Sequence, residues 1–123
     1  MFKKFTQTEL DEEDALSVQA PERIFCGRCD AFITDAGRIM IVGGQHTHHR
    51  RNPANIEFSF QCFSHAPGCR LEGAHTLEHT WFPGNGWCYL ICRQCNTHLG
   101  WHFRGNGNFY ALIVDRLRYE RRN

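Results

Sequence analysis

Residues 87–101 read WCYLICRQCNTHLGW, and the reading of this stretch decides the fold. Residues 87–91 suit a β-strand, whose side chains alternate between two faces, and residues 99–103 suit a second. Between them, Cys92-Arg-Gln-Cys95 has the C-x-x-C spacing of a metal knuckle. The stretch is therefore strand, knuckle, strand, and the knuckle folds Trp101 back beside Trp87. Alternation places Tyr89 and Ile91 on the side of Trp87, and gives Leu99, Trp101 and Phe103 one common face.

A matching knuckle, Cys26-Gly-Arg-Cys29, lies upstream, with 62 residues (30 to 91) between the two pairs. Together they supply the tetrahedral sulfur shell that Zn²⁺ prefers, at about 2.3 Å per Zn–S bond. Cys26, Cys29, Cys92 and Cys95 are thus the expected ligands of one structural zinc ion. Four protein ligands leave no open position, so the ion is expected to staple residue 26 to residue 92 rather than to activate water. A thioredoxin-type motif would need a single pair opening a helix in a βαβ unit. The chain has seven cysteines. Cys62, Cys69 and Cys88 read as small buried hydrophobes, in preference to a second site using His65 in a C-x-x-H-x-x-x-C pattern.

With 123 residues, the chain has room for one domain and one modest core. Net charge is +1, from 14 Lys and Arg against 13 Asp and Glu, so no bulk field points to nucleic acid or membrane. The basic clusters, His48-His49-Arg50-Arg51 and residues 116–122, read as a solvated loop and a solvated terminus. His46, His48 and His49 likewise read as loop residues. No secretory signal or membrane span is legible, and an odd cysteine count argues against a disulfide framework, so a cytoplasmic setting is expected.

Residues 1–20 read as a mobile arm, with a helical turn or two at 8–16. From Arg23 onward, short apolar runs bounded by Gly, Asn and Pro are the punctuation of an all-β domain. Expected strands cover 37–42, 56–62, 87–91, 99–103 and 109–116. Turns are expected at Gly43-Gly44, Pro83-Gly84-Asn85-Gly86 and Gly105-Asn106-Gly107-Asn108. The domain is placed at 21–117 with a tail at 118–123. Core candidates are Phe25, Ile33, Ile39, Ile41, Phe60, Leu90, Leu99, Leu112 and Val114.

Residues 79–87, HTWFPGNGW, set two of the three Trp on the limbs of a tight bend, from which they can face each other. With Trp101 folded back by the knuckle, all three can line one concavity. A packed Trp core is the plainer reading. Against it stand the flanking Gly and Pro, which leave space over the rings, and indole N–H groups that need partners when buried.

These features together resemble the thalidomide-binding (CULT) domain family of cereblon, nearest in pattern to its single-domain bacterial members. The likeness runs from about residue 23 to 114. It comprises both knuckles, HTWFPGNGW, THLGWHF, and Asn52-Pro53 at 29 positions before Trp81. It implies two antiparallel sheets meeting as a tent (a β-tent) pinned by zinc, and a cage holding a cyclic imide: glutarimide of the thalidomide class, with uridine-like rings as weaker binders. By resemblance, Trp81, Trp87 and Trp101 form the walls. Backbone groups of His79 and Trp81 meet the imide edge, assisted by Asn52, and Pro53, Phe58, Thr80 and Phe103 close the pocket. Asn85-Gly86 replaces a bulkier pair of animal cereblons, which implies a more open rim. The quoted residues hold neither the Lon-like domain nor the adaptor-binding helices of animal cereblon, so no ubiquitin-ligase adaptor is expected. The resemblance implies a small cyclic imide or a cyclised protein C-terminus as the partner, without choosing the natural ligand.

The resemblance implies binding, not catalysis. Methionine sulfoxide reductase B has a similar zinc fold, but its chemistry needs a nucleophilic Cys beyond the second knuckle, and residues 96–123 contain no Cys or Ser. A zinc deaminase would need an open metal position and a Glu acid/base. A reader of methylated ammonium groups would use the same rings through cation–π attraction, commonly with a carboxylate, for which Glu78 is near. A purely structural zinc domain that binds a protein partner is the remaining class.

Overall fold

The computed structural model describes residues 20–120. The arm expected at 1–20 and its helical turn lie almost wholly outside them. Among the described residues, nine strands form: β1 (Arg23–Cys26), β2 (Phe32–Asp35), β3 (Thr47–Arg51), β4 (Glu57–Phe63), β5 (Cys69–Thr76), β6 (Gly86–Cys92), β7 (His98–Gly105), β8 (Gly107–Ile113) and β9 (Leu117–Tyr119). All pairings are antiparallel, in a three-stranded sheet β2-β1-β9 and a six-stranded sheet β3-β4-β8-β7-β6-β5. The all-β, two-sheet class expected of a β-tent is what the chain adopts. Among the described residues, no helix is long and apolar enough to cross a membrane.

Alternation sorts the core into two clusters on opposite faces of the large sheet. Along β8, Phe109, Ala111 and Ile113 point one way and Leu112 the other. Leu112 joins Leu90, Leu99 and Phe63 under Ile24, Cys26 and Ile33, contributed by the small sheet or the knuckle it leads into. Phe109, Ala111 and Ile113 join Phe60, Trp101 and Phe103, with Trp81, Trp87, Phe58 and Phe82 laid against them. Strands β7 and β8 approach so closely that a Cβ on Gly100 would overlap the Ala111 carbonyl, and only glycine fits there. Their hairpin closes over Asn106 with Gly107 at φ +80°, a conformation that suits glycine.

Several expectations need correction. Residues 37–42 are not a strand. The Asp35 carboxylate accepts the Gly37 amide at 2.9 Å, caps a 3₁₀ turn at Ala36–Arg38 and turns the chain away. Only isolated bridges, Ile39 to Phe63 and Val42 to Gln45, remain, and Ile39 and Ile41 are 45% and 60% exposed rather than core. Phe25 and Val114 are half-buried. The expected strand 109–116 ends at Ile113 in a 3₁₀ turn at Val114–Arg116.

The His48–Arg51 segment is an edge strand, not a loop. His48 is buried, stacked on Phe60 at 5.5 Å, because every second residue of β3 must face the sheet's inner side. The tail expected from 118 begins inside β9. Arg118 pairs with Phe25 and lies over its ring at 4.5 Å, and the Tyr119 hydroxyl donates to Gln61 at 2.6 Å. Finally, a register shift between Leu90 and Ile91 separates Leu99 from Trp101. Leu99 packs on the small-sheet side, and Trp101 and Phe103 on the other.

Candidate functional site: an aromatic cavity beside a tetracysteine cluster

The two knuckles are built alike. In each, the first Cys donates its amide across the turn (Cys26 to Ala31 O, 2.8 Å; Cys92 to Thr97 O, 2.9 Å) and accepts from the residue after the second Cys (Asp30, 2.9 Å; Asn96, 3.0 Å). Asp30 and Asn96 both take φ 64°, the left-handed conformation that Asp and Asn tolerate among residues other than glycine. This shared C-x-x-C-(Asp/Asn) signal stands in the sequence and was passed over by the reading of the cysteines alone. The turns bring Cys26 Sγ to 3.7 Å from Cys95 Sγ and Cys29 Sγ to 3.6 Å from Cys92 Sγ. All four sulfurs lie within 4.8 Å of one another, close enough to hold one metal ion. The Thr97 hydroxyl sits 3.0 Å from Cys95 Sγ, and Gln94 donates to the Cys29 carbonyl at 3.4 Å, tying one knuckle to the other.

On the opposite face of the large sheet, a cavity of about 490 Å³ is lined by Asn52, Pro53, Phe58, Glu78, His79, Trp81, Trp87, Tyr89, His98, Trp101 and Phe103. All three Trp contribute. Trp101, only 7% exposed, is both wall and core. Trp81 meets it edge to face at 4.9 Å and stacks on Phe60 at 5.6 Å, and Trp87 stands against Tyr89 at 5.3 Å. Two of the indole N–H groups point into the protein frame: Trp81 Nε1 donates to the Arg51 carbonyl at 2.9 Å, and Trp87 Nε1 to the Glu78 carbonyl at 2.8 Å. Those bonds fix the ring planes, leaving apolar ring surface to the cavity.

Of the nine pocket residues named from the sequence, eight line this cavity. Thr80 does not. Its hydroxyl donates to the Asn85 carbonyl at 2.6 Å and braces the bend between Trp81 and Trp87. Asn52 is held at the rim, its Oδ1 accepting the Ile56 amide at 2.9 Å. His79 lies at φ 57°. Among the described residues, no hydrogen bond engages the backbone of His79 or of Trp81.

Tyr89 and His98 line the cavity without having been named for it, and Glu78, expected near the rings only as the carboxylate of an ammonium site, lines it too. Tyr89 was recoverable from its alternation with Trp87, whereas His98 comes to the cavity through the register shift in β7, which no local pattern announces. Its Nε2 donates to the Gly100 carbonyl at 2.9 Å, and Nδ1 receives Arg116 at 3.2 Å. That tautomer is neutral, and burial, reinforced by the Arg116 charge, pushes the imidazole below its usual range.

The site and fold thus define a class: a two-sheet β domain with a tetracysteine cluster and an aromatic-walled cavity. A solved Mis18 "Yippee-like" domain shares the fold with a TM-score of 0.60 over 85% of this chain and 99% of that one, at 15% identity. Within that class, the sequence is similar to cereblon. It is 48% identical to cereblon of Gallus gallus over 33 residues, 42% to that of Danio rerio over 38 and 38% to that of Drosophila willistoni over 45. These segments are 27%, 31% and 37% of this chain and only 7%, 9% and 7% of those proteins. The short segments are consistent with a cereblon-type (CULT) domain. No family model matches the chain.

Proposed function

We propose that the domain captures a cyclic imide ring in the aromatic cavity, with one zinc ion holding the four cysteines. The carrying observation is the pairing of three indole walls with free backbone groups at their rim. Cyclic imides present an edge of acceptor, donor and acceptor. The unengaged amide and carbonyl groups of His79 and Trp81, among the described residues, suit such an edge. The indoles stack on the ring's apolar flanks and exclude water. Similarity to cereblon supports the same reading.

Zinc is favoured by the sulfur spacing. An ion bonded to four sulfurs at about 2.3 Å sets them roughly 3.8 Å apart, and the observed pairs stand at 3.6 and 3.7 Å. When bound, the ion supplies folding energy and fixes the knuckles. On this reading the domain binds without turning its ligand over. Its partner is a small imide or a cyclised protein C-terminus rather than nucleic acid, a membrane or a ligase adaptor. A reducing, cytoplasmic setting suits the cysteines.

Tryptophan fluorescence titration tests the reading. Glutarimide is expected to quench saturably and its N-methyl derivative to bind far more weakly, because a lost N–H leaves a pocket carbonyl unpaired at about 1–3 kcal/mol. Equal affinity for the two would refute imide recognition. Glu78 in the lining favours a second reading, a methylated-ammonium site. Saturable binding of trimethyl-lysine, with none of glutarimide, would establish that one instead.

A further inference from the structure

The cavity does not use a cluster on the reverse of β5, β6 and β7. Along β6 and β7, cavity residues Trp87, Tyr89, Trp101 and Phe103 alternate with Cys88 and His102, which are cross-strand partners. His102 packs against Tyr110 at 4.6 Å on that reverse face. Strand β5 adds a third group. Glu72 pairs with Tyr89 and Thr76 with Trp87, so Gly73, Ala74 and His75 together oppose the single residue Cys88. Bulges of this kind re-aim side chains. Here His75 Nε2 comes to 2.8 Å from His102 Nδ1 and 3.4 Å from Cys88 Sγ.

All three donor atoms lie within 4.8 Å of one another. Cys88 and His102 are 1% and 6% exposed, while His75, on the sheet's edge strand, is half-buried and gives a route in from solvent. Cys62 and Cys69 are equally buried, yet join no such cluster among the described residues. Burial as a small hydrophobe, expected for all three cysteines, therefore accounts for those two and leaves the surroundings of Cys88 unexplained.

One thiolate with two imidazoles is a donor set for borderline-soft ions such as Zn²⁺. Metal bonds of about 2.0–2.1 Å to nitrogen and 2.3 Å to sulfur space tetrahedral donors by roughly 3.3–3.6 Å. The His75–Cys88 separation already fits. The His75–His102 separation must open by about 0.5 Å, a small side-chain rotation for an edge residue. The charged group facing the cluster is Arg104, which is exposed and so screened by water.

We propose that His75, Cys88 and His102 form a second metal site, holding a zinc-like transition-metal ion with its fourth position open to water. Binding breaks the hydrogen bond between the two imidazoles; the ring that donated it moves its proton through solvent to its other nitrogen, so that both facing nitrogens bind as neutral imidazoles, while the ion sheds bound waters, forms two metal–nitrogen bonds and one metal–sulfur bond, and releases the Cys88 proton to solvent.

The test uses the full chain, loaded first with one equivalent of Zn²⁺ and then titrated with Zn²⁺ by calorimetry, with elemental analysis after gel filtration. The expected result is two zinc ions per chain, the second binding in the micromolar range or tighter. Cys88→Ala and His75→Ala should each weaken that second event at least tenfold, whereas Cys62→Ala leaves it intact. His75→Ala lies at a half-buried edge and keeps the test decisive if Cys88→Ala misfolds. A single equivalent in the wild type would overturn the site, and so would a second ion that survives His75→Ala with undiminished affinity, since it must then sit elsewhere.

Discussion

The tetracysteine cluster and the aromatic cavity lie on opposite faces of one sheet, and they are assembled in opposite ways. Each knuckle is complete within a few residues, from Cys26 to Ala31 and from Cys92 to Thr97, and only its docking is long-range. The cavity instead draws on residues 52, 53, 58, 78, 79, 81, 87, 89, 98, 101 and 103. Its walls are set by bonds that cross 30 residues (Trp81 to Arg51) and 9 residues (Trp87 to Glu78), and by the register of β6 against β7. Contiguous motifs fold the cysteine knuckles locally, whereas the cavity exists only once the sheet is correctly paired. The cluster should therefore govern whether the domain folds, and the cavity residues what it holds.

The largest expected effect breaks that division at its source. On the zinc reading proposed above, Cys92→Ala, or chelation, should abolish the cooperative fold, because structural zinc sites contribute about 10–16 kcal/mol and a domain of this size has little reserve. Near-UV circular dichroism reports it through the tryptophans. A metal-free protein that retained the same near-UV spectrum and melting temperature would show that the cluster is incidental.

Next come the cavity walls, which sharpen the comparison by separating stability from binding. Trp101→Ala removes a ring that is 7% exposed and touches Phe58, Phe60 and Trp81, so it should cost about 3–5 kcal/mol and also abolish imide quenching. Trp87→Ala removes a half-buried ring, so binding should fall at least tenfold with a much smaller drop in melting temperature. Equal stability losses at the two positions would mean that the three Trp act as a single packed core.

A smaller effect isolates one anchor. Trp87→Phe keeps an aromatic wall but deletes the N–H that meets the Glu78 carbonyl at 2.8 Å. Denaturant unfolding should register about 0.5–1.5 kcal/mol. No change in either stability or imide affinity would remove the indole hydrogen bond from the account of the cavity.

The same contrast explains what was legible in the chain. Two C-x-x-C pairs announce themselves by spacing alone, and the strand–knuckle–strand reading of residues 87–101 survives in β6 and β7. Gly and Asn marked the β7–β8 turn correctly, because positive φ leaves few other choices. What escaped was set by tertiary pairing. Strand β5 reads CRLEGAHT, with Gly73 inside it and no clean alternation, and it forms because β6 offers it a partner. Strand β3 looked like a solvated run of His and Arg, yet its His48 is buried against Phe60 and Phe82. Conversely, Ile39 and Ile41 looked like core and were thrown outward by the Asp35 cap. Eight of the nine pocket residues meet at the cavity, while Thr80 serves the bend instead.

The smallest effect concerns His98, the cavity residue that a register shift delivered. In the folded chain it is neutral, receiving Arg116 at Nδ1 and donating from Nε2, with its pKa below the ordinary value of 6.5. An unfolded chain has no such constraint and binds its proton first as pH falls. His98 therefore contributes stability above about pH 6.5, and that contribution declines as pH falls from there toward the lower folded pKa. Protonation would set a cation against the Arg116 guanidinium beside Trp101 and Tyr89, so the cavity wall should loosen in the same window. Ring chemical shifts of His98, followed by NMR through a pH titration, should show a midpoint below 6.5, and His98→Asn should flatten the acid limb of imide affinity. A midpoint at or above 6.5 would mean that Arg116 does not hold the ring, and that the cavity keeps its shape independently of the register shift that brought His98 there.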